Sequence, residues 1–482
     1  MADRGPSERV VVIGGGLTGL AAAHRLSTRA AIQRKSLEIV LLEAKPRVGG
    51  AIWTERRNGF FLEGGADSFI TNKPWGIDLC RELGLSDALI GTDTSRRRSF
   101  VVRQGRLLPV PEGFVMMSPS RIGSILTSPI LSWRGKFRLL LERFVPRKVD
   151  GGDESLASFV KRRFGREALD RLVQPLIGGI YTADPNDLSI AATLPQFPAM
   201  ERQYGSLIRA ARFQKRADRD ASGARYGLFV TLAEGMETLT KSLAASLPAG
   251  TIRTEAPVRR ITRPDPLGPW RIEALDGPAI DAAAVLITTE AHAAARLVDG
   301  FDPELALQLR SIPYASSAIA NVAYRRDAIS HPLDGFGAVV PIVENRSILA
   351  VSFTSVKFPS RAPADSVLLR VFVGGATQPE LFELDDAAIG EIVRRELGEL
   401  IGATGEPLFL EVSRHPRGMP QYTLGHIDRV AAIRQLESQH AGLALAGNAF
   451  DGVGIPDCIR SAQAAADAIL AELAEAARRS VA

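Results

Sequence analysis

Cysteine is nearly absent: Cys80 and Cys458 are the only two among 482 residues, and they lie far apart in the chain. That excludes a disulfide framework and points to a reducing compartment. Histidine is scarce too. The six present are scattered, with no ligand spacing to cysteine or acid, so no metal site is expected. No stretch approaches the roughly 18 uninterrupted apolar residues of a membrane-spanning helix. The N-terminal MADRGPSERVVVIGGG carries only a short strand-like apolar run, not the core of an export signal. These absences predict a cytoplasmic protein, soluble or peripherally attached to the cytoplasmic membrane.

What is present fits a globular chain of two or three domains: 45% hydrophobic and 23% charged residues, with a formal net charge of +5. The charge is unevenly spread. Between Thr94 and Lys148 twelve Lys/Arg face two acids, Glu112 and Glu142. Within it, SRRRSFVVRQGR (95–106) alone holds five arginines. No nucleic-acid-binding motif accompanies them. A solvated basic face, an anionic membrane surface and an acidic small molecule stay open on charge alone.

The strongest local signal is near the N-terminus. RVVVI (9–13) is β-branched and apolar, as a strand buried on both faces would be. It runs into GGGLTGLAAAHRL, where Gly14, Gly16 and Gly19 fit G-x-G-x-x-G. In that pattern the first glycine makes the tight turn and the second lets a pyrophosphate approach the backbone. The third lets helix and strand pack closely, and the helix N-terminus holds the diphosphate. The next predicted strand, LEIVLLEA, ends in Glu43, twenty-four residues after Gly19, placed to hold a ribose hydroxyl. Two further glycine pairs follow, Gly49–Gly50 and Gly64–Gly65. They suit backbone lying along a longer ligand, such as a ribityl chain and flavin ring, better than a plain NAD site. Near the other end, GLALAGNAF, DGVGIPDC and IRSAQAAADAILAELAEAA read as strand, turn and helix, with Pro456 at the helix start. A second glycine-rich turn aiming a helix N-terminus at a ligand suits the negative pyrimidine end of a reduced flavin.

With these pieces in place the chain resembles the FAD-dependent protoporphyrinogen oxidase and coproporphyrinogen III oxidase family, relatives of monoamine oxidases and phytoene desaturases. The likeness runs over essentially the whole length. Its specific blocks are LSIAATLPQF (188–197), GFGAVVP (335–341), GMPQYTLGH (418–426) and GVGIPDCIRSA (452–462). The resemblance implies a mixed α/β and α+β fold in three parts. A Rossmann-like FAD-binding domain is assembled from 1–93, 228–298 and 441–482. A helical membrane-facing domain spans 94–205 and a mixed-sheet substrate-binding domain spans 299–440, with a mobile basic loop at 206–227.

The same resemblance implies an oxygen-dependent oxidation of a porphyrinogen to a porphyrin in late haem biosynthesis, by three successive hydride transfers to flavin N5. Non-covalent FAD would contact Gly14, Gly15, Gly16, Leu17, Thr18, Gly19, Glu43, Ala44, Arg47, Gly49, Gly50, Gly65, Ala66, Asp67, Ser68, Val258, His415, Val453, Gly454 and Ile455. A large apolar macrocycle with anionic propionates needs an apolar slot and a cation, and arginine's planar fork binds carboxylate bidentately. Family likeness places the cation at Arg98 and the slot at Gly179, Phe336, Val339 and Phe372. Asp67 is the candidate to position substrate or accept a proton, with an Asx-turn residue as the alternative. His426 is expected to hold the fold, and Cys458 to be a packed thiol rather than a flavin link.

Two departures stand out: Ala66 replaces the family's proline, and His415 stands where a tryptophan often contacts the flavin. Porphyrinogen, molecular oxygen and an anionic membrane surface, met by SILTSPILSWRGKFRLLLERFVPRK, are the implied partners. Nucleic acid is not expected. A homodimer, a hand-off to the next haem-pathway enzyme, and protoporphyrinogen IX against coproporphyrinogen III stay open. The alternatives are another flavin amine oxidase or desaturase of the superfamily, and a non-enzymatic carrier with the same fold.

Overall fold

A computed structural model describes residues 8–481, apart from 113, 116, 120–121, 149–150, 218–227 and 266–267. Its centre is a five-stranded parallel sheet, in the order Ile252–Arg253, Leu37–Leu42, Glu8–Ile13, Ala284–Ile287 and Leu443–Leu445. Glu8–Ile13 is buried on both faces, as its apolar run requires. Val10 and Val12 pack under helices Leu17–Ile32 and Ile455–Val481, through Leu20, Leu26, Ile459 and Ala466. Val11 and Ile13 face the opposite way, towards a small antiparallel sheet (Val258–Ala282) and helices Ala291–Val298 and Pro303–Arg310.

A second, seven-stranded sheet is mixed. Its order is Phe409–Pro420, Tyr314–Arg325, Ser366–Gly374, Ala350–Ser352, Gly337–Val339, Phe100–Arg103 and Arg106–Pro109. Its outer face buries Ala320, Val322, Leu369 and Val371 against Ile389, Val393 and Leu397 of helix Asp386–Ile401. Its inner face meets the segment that follows strand Phe60–Glu63. The Asn321 side-chain amide donates to the Glu63 carbonyl at 3.2 Å, and Arg370 donates to the Gly65 carbonyl.

The third body is helical and includes Trp133–Leu140, Leu156–Phe164, Gln174–Tyr181 and Gln196–Tyr204 around a core of Phe159, Phe164, Leu172 and Ile177. A fully buried Arg163–Glu142 pair ties it together, with the Glu142 carboxylate also accepting from Ser206 and from the Leu207 and Ile208 amides. Among the described residues no helix is long and apolar enough to cross a membrane.

Three sequence expectations need correction. The start of the expected helical segment, Phe100–Pro109, is a β-hairpin at the edge of the mixed sheet. Phe100, Val101 and Val102 are buried there, which outweighs the charge that made the stretch look like surface. The expected mobile loop begins as a helix, Leu207–Ala217, with Leu207, Ile208, Ala210 and Ala211 buried. Helical spacing of those apolar residues was hidden among the cations. The remainder, 218–227, lies outside the described residues. Finally, helix His426–Glu437, assigned to the substrate region, buries Val430 and Ile433 against the parallel-sheet body.

Candidate active site

The glycine turn after Glu8–Ile13 is shaped by contacts that admit no side chain. Gly14 has φ +104° and donates to the Leu42 carbonyl at 2.8 Å. A Cβ on Gly19 would overlap the Gly14 carbonyl oxygen, which is the close helix–strand packing expected of the third glycine. The second glycine pair lies alongside the first: the Gly49 amide donates to the Gly15 carbonyl at 2.8 Å, and Gly16 bridges Gly49. A Cβ on Gly16 would meet nothing within 4 Å. Gly16 also caps helix Leu17–Ile32 with no side-chain hydrogen bond to the first-turn amides. Open space beside bare helical N–H groups fits a diphosphate.

Glu43, 9% exposed, closes the same corner. Its Oε2 accepts from the Gly15 amide at 2.6 Å and its Oε1 from the Lys45 backbone amide at 2.8 Å. Each carboxylate oxygen keeps a lone pair for a ribose hydroxyl. Arg47 donates to the Gly50 carbonyl at 2.8 Å and braces the second glycine pair. Ala44 is exposed and Val258 half-buried near the end of the Glu43 strand, whose carbonyl accepts from Ala256 at 2.9 Å.

The C-terminal turn is held from outside. The Tyr422 hydroxyl donates to the Asn448 carbonyl at 2.6 Å and accepts from the Gly452 amide at 2.8 Å. His426 stacks on the Tyr422 ring at 4.0 Å, and its Nε2–H donates to the Phe450 carbonyl at 2.9 Å. Gln421 donates to the Tyr181 carbonyl at 3.1 Å, and Ser189 donates to the Tyr422 carbonyl at 2.8 Å. Three of the motif blocks, 188–197, 418–426 and 452–462, therefore meet around the turn that contains Val453, Gly454 and Ile455. Lys73 clamps Asp457 in the first turn of the last helix, 2.7 Å from both carboxylate oxygens. The Cys458 thiol is bonded to Thr18, and burial pushes its pKa up to about 12, so it is a packed neutral thiol.

Between these two turns runs the Gly64–Ser68 loop. A Cβ on Gly64 would fall on the Trp53 indole, so that glycine is required for packing. His415 reaches the loop from the mixed sheet, its Nε2–H donating to the Gly64 carbonyl at 2.8 Å. Burial keeps its pKa below the usual imidazole range. Asp67 lies 3.3 Å from Lys357 and 3.2 Å from Arg370. Burial alone would raise its pKa, but those two cations outweigh it and hold the carboxyl well below the usual range.

On the inner sheet face, Val339, Ala350, Phe372 and Ile319 lie in one cross-strand row. A Cβ on Gly179 would sit 3.5 Å from Val339, and Phe336 donates its amide to the Arg98 carbonyl at 2.8 Å. Val339 and Phe372 thus share one row with Gly179 against it, while Phe336 and Arg98 are joined to each other through the main chain. The Arg98 side chain, however, is paired with Asp334 at 3.0 Å and is 54% exposed.

Sequence reasoning missed Arg370, Lys357, Asn321, Trp53 and Tyr422. Arg370 could have been found: a charged residue inside SVLLRVFVG must be paired if the strand is buried.

The flavin-containing amine oxidoreductase family matches residues 17–470. Coproporphyrinogen III oxidase of Bacillus subtilis is 33% identical, over 95% of this chain and 97% of that protein. That of Staphylococcus aureus is 30% identical, over 97% and 100%. Protoporphyrinogen oxidase 2 of Arabidopsis thaliana is 28% identical, over 97% and 94%. A crystal structure from Exiguobacterium sp. 255-15, provisionally named a protoporphyrinogen oxidase, superposes with TM-score 0.85 at 33% identity, over 97% and 99% of the two chains. Putrescine oxidase shares the fold, at TM-score 0.71 and 18% identity. The chain therefore belongs to the flavin-containing amine oxidoreductase family, and its cofactor is FAD.

Proposed function

We propose that the protein oxidises a porphyrinogen to its porphyrin in haem biosynthesis, with coproporphyrinogen III as the substrate and oxygen as the final electron acceptor. The observation that carries this reading is the apolar row Val339, Ala350, Phe372 and Ile319 on the inner sheet face, with Gly179 against Val339 and with the exposed Arg98 hydrogen-bonded through its carbonyl to Phe336, three residues before Val339. The relatives named coproporphyrinogen III oxidase, at 30–33% identity, support the choice of substrate. Bound FAD supplies the two-electron acceptor. The chain's own residues bind and orient: Val339 and Phe372 give the macrocycle an apolar wall, and Arg98 offers a fork to a propionate. Asp67 serves as a positioning carboxylate, because an acid held this strongly ionised is a poor proton acceptor. Purified protein mixed in air with each porphyrinogen, followed by porphyrin fluorescence, tests the reading. Faster turnover of coproporphyrinogen III is expected. Oxidation of neither would sink the reading, and preference for protoporphyrinogen IX would overturn the substrate choice.

We also propose that the helical body rests on anionic lipid. Trp133, Phe137 and Phe144 are 75%, 64% and 66% exposed on one helix and the turn after it. Arg143 lies over the Phe144 ring, and Arg134 and Arg143 are exposed beside these aromatics. Exposed aromatics beside cations suit a lipid headgroup surface.

A further inference from the structure

The inner face of the mixed sheet carries charge that the substrate slot does not need. Arg370 sits in the middle of strand Ser366–Gly374 and is 2% exposed. Its Nη1 faces Asp67 at 3.2 Å, its Nη2 donates to the Gly65 carbonyl, and its guanidinium lies over the Phe372 ring at 5.6 Å. Lys357, from the short helix Thr354–Lys357, reaches the same loop, donating to the Ser68 hydroxyl at 2.8 Å and to Asp67 at 3.3 Å. The Ser68 hydroxyl in turn donates to Asp67 at 2.7 Å.

Three buried polar atoms here have no protein partner: Arg370 Nε, Asn321 Oδ1 and Ser413 Oγ. Asn321 lies directly opposite Arg370, and Ser413 is in the next row on the same face. Groups this buried are normally satisfied, so their convergence marks this stretch of the sheet as a working surface. The surrounding charges close the account. Arg361 and Glu63, both 1% exposed and 3.9 Å apart, form one balanced pair. His415 is kept neutral by burial. Arg370 and Lys357 both contact Asp67; Glu63 is also within electrostatic reach of Arg370 and Asp67 of Arg361, so three cations, Arg361, Arg370 and Lys357, face two acids, Glu63 and Asp67.

We propose that Arg370 and Lys357 are positioning residues that pin Asp67, and through it the Gly64–Ser68 loop, to the mixed sheet, and that leave one buried positive charge uncompensated beside that loop. The inference deepens the porphyrinogen-oxidase reading and rests on assigning Gly65–Ser68 to the flavin. A reduced flavin carries more negative charge than an oxidised one, and an uncompensated cation favours the reduced form. Arg370 therefore acts on the cofactor and the loop. Its contact with Phe372 links that loop to the substrate wall.

The test uses purified holoenzyme and reads the flavin midpoint potential by dye equilibration, together with flavin absorbance from pH 4 to 8. In Arg370→Met the ratio of reduced to oxidised flavin at fixed potential is expected to fall roughly tenfold, the scale of one charge acting through protein interior. For a two-electron couple that is a downward shift of about 30 mV. Asp67, left with one cation, is expected to titrate within the pH window, giving a spectral transition that the wild type lacks. Arg370→Lys restores the potential. If Arg370→Met does not fold, Lys357→Met is read in the same way. A folded, yellow variant with wild-type potential and a pH-independent spectrum overturns the proposal and leaves the cofactor reading intact. A wild-type protein that never takes up FAD refutes the underlying reading instead.

Discussion

Arg98 and Asp334 form an ion pair 3.0 Å long, with side chains 54% and 37% exposed. If Arg98 grips a substrate carboxylate as proposed, Asp334 competes with that carboxylate for the guanidinium. An exposed pair of this kind contributes about 0–1 kcal/mol, so the exchange is cheap. Asp334→Asn is expected to lower KM for the porphyrinogen by no more than about fivefold, with kcat unchanged. Arg98→Ala is expected to raise KM by about 10- to 150-fold, the loss of a charge-assisted hydrogen bond of about 1.5–3 kcal/mol. Initial rates across substrate concentration check both, and an unchanged KM in Arg98→Ala removes the propionate assignment.

The glycine turn separates fold from cofactor. Gly16 has φ −69°, and a Cβ there meets nothing within 4 Å. Gly16→Ala is expected to fold with a wild-type Tm yet bind FAD weakly, its methyl taking space needed by the diphosphate. Gly19→Ala forces the new methyl onto the Gly14 carbonyl and is expected to destabilise the protein by about 1–3 kcal/mol. Thermal melts of FAD-free protein distinguish the two. Equal losses in both would contradict the argument.

Tyr422 ties the C-terminal turn through its hydroxyl. Tyr422→Phe leaves the Gly452 amide and Asn448 carbonyl without that partner, at a cost of about 1–3 kcal/mol. FAD retention on dilution, read by free-flavin fluorescence, is expected to weaken roughly tenfold. Retention equal to wild type would mean that the turn is fixed by other contacts.

Five histidines, His24, His292, His331, His415 and His426, have pKa values lowered primarily by burial. The unfolded chain therefore binds protons that the folded chain refuses. Stability is fully present above the unfolded value of about 6.5 and is lost as pH falls below it towards the folded values. Denaturant midpoints at pH 7.5 and 5.5 should show the lower one at pH 5.5, and equal midpoints would refute net burial of neutral imidazoles.

The lipid surface is tested by co-sedimentation with vesicles containing phosphatidylglycerol. Wild type is expected to bind, less so at high salt, and Trp133→Ser combined with Phe137→Ser to lose most of the binding. Both residues are exposed, so the melt should not change. Equal binding by the variant would rule out this face.

The cofactor end was legible because each glycine in it answers a local backbone demand at fixed spacing: Gly14 by its φ, Gly19 by overlap and Gly16 by open space. The site beside the loop was legible only in pieces. Arg98 could be named from family likeness, but Asp334 lies 236 residues away and nothing local announces the pairing. Arg370, Lys357 and Asp67 come from a strand, a short helix and a loop, and only folding brings their charges together. Phe100–Pro109 and Leu207–Ala217 were misread for one reason: dense cations obscured the period of the buried residues between them.

The parallel sheet described above sets the order in which the molecule can assemble. Its strands Glu8–Ile13 and Leu37–Leu42 precede their neighbours Ala284–Ile287 and Leu443–Leu445, and the helix that covers them, by hundreds of residues. The N-terminal strands must wait, with their apolar faces incomplete, until nearly the whole polypeptide has emerged. Pairings between such distant segments are slow to form and expose sticky edges meanwhile. Loss of helix Ile455–Val481 would therefore leave the face formed by Val10, Val12, Leu20 and Leu26 without the cover of Ile459 and Ala466.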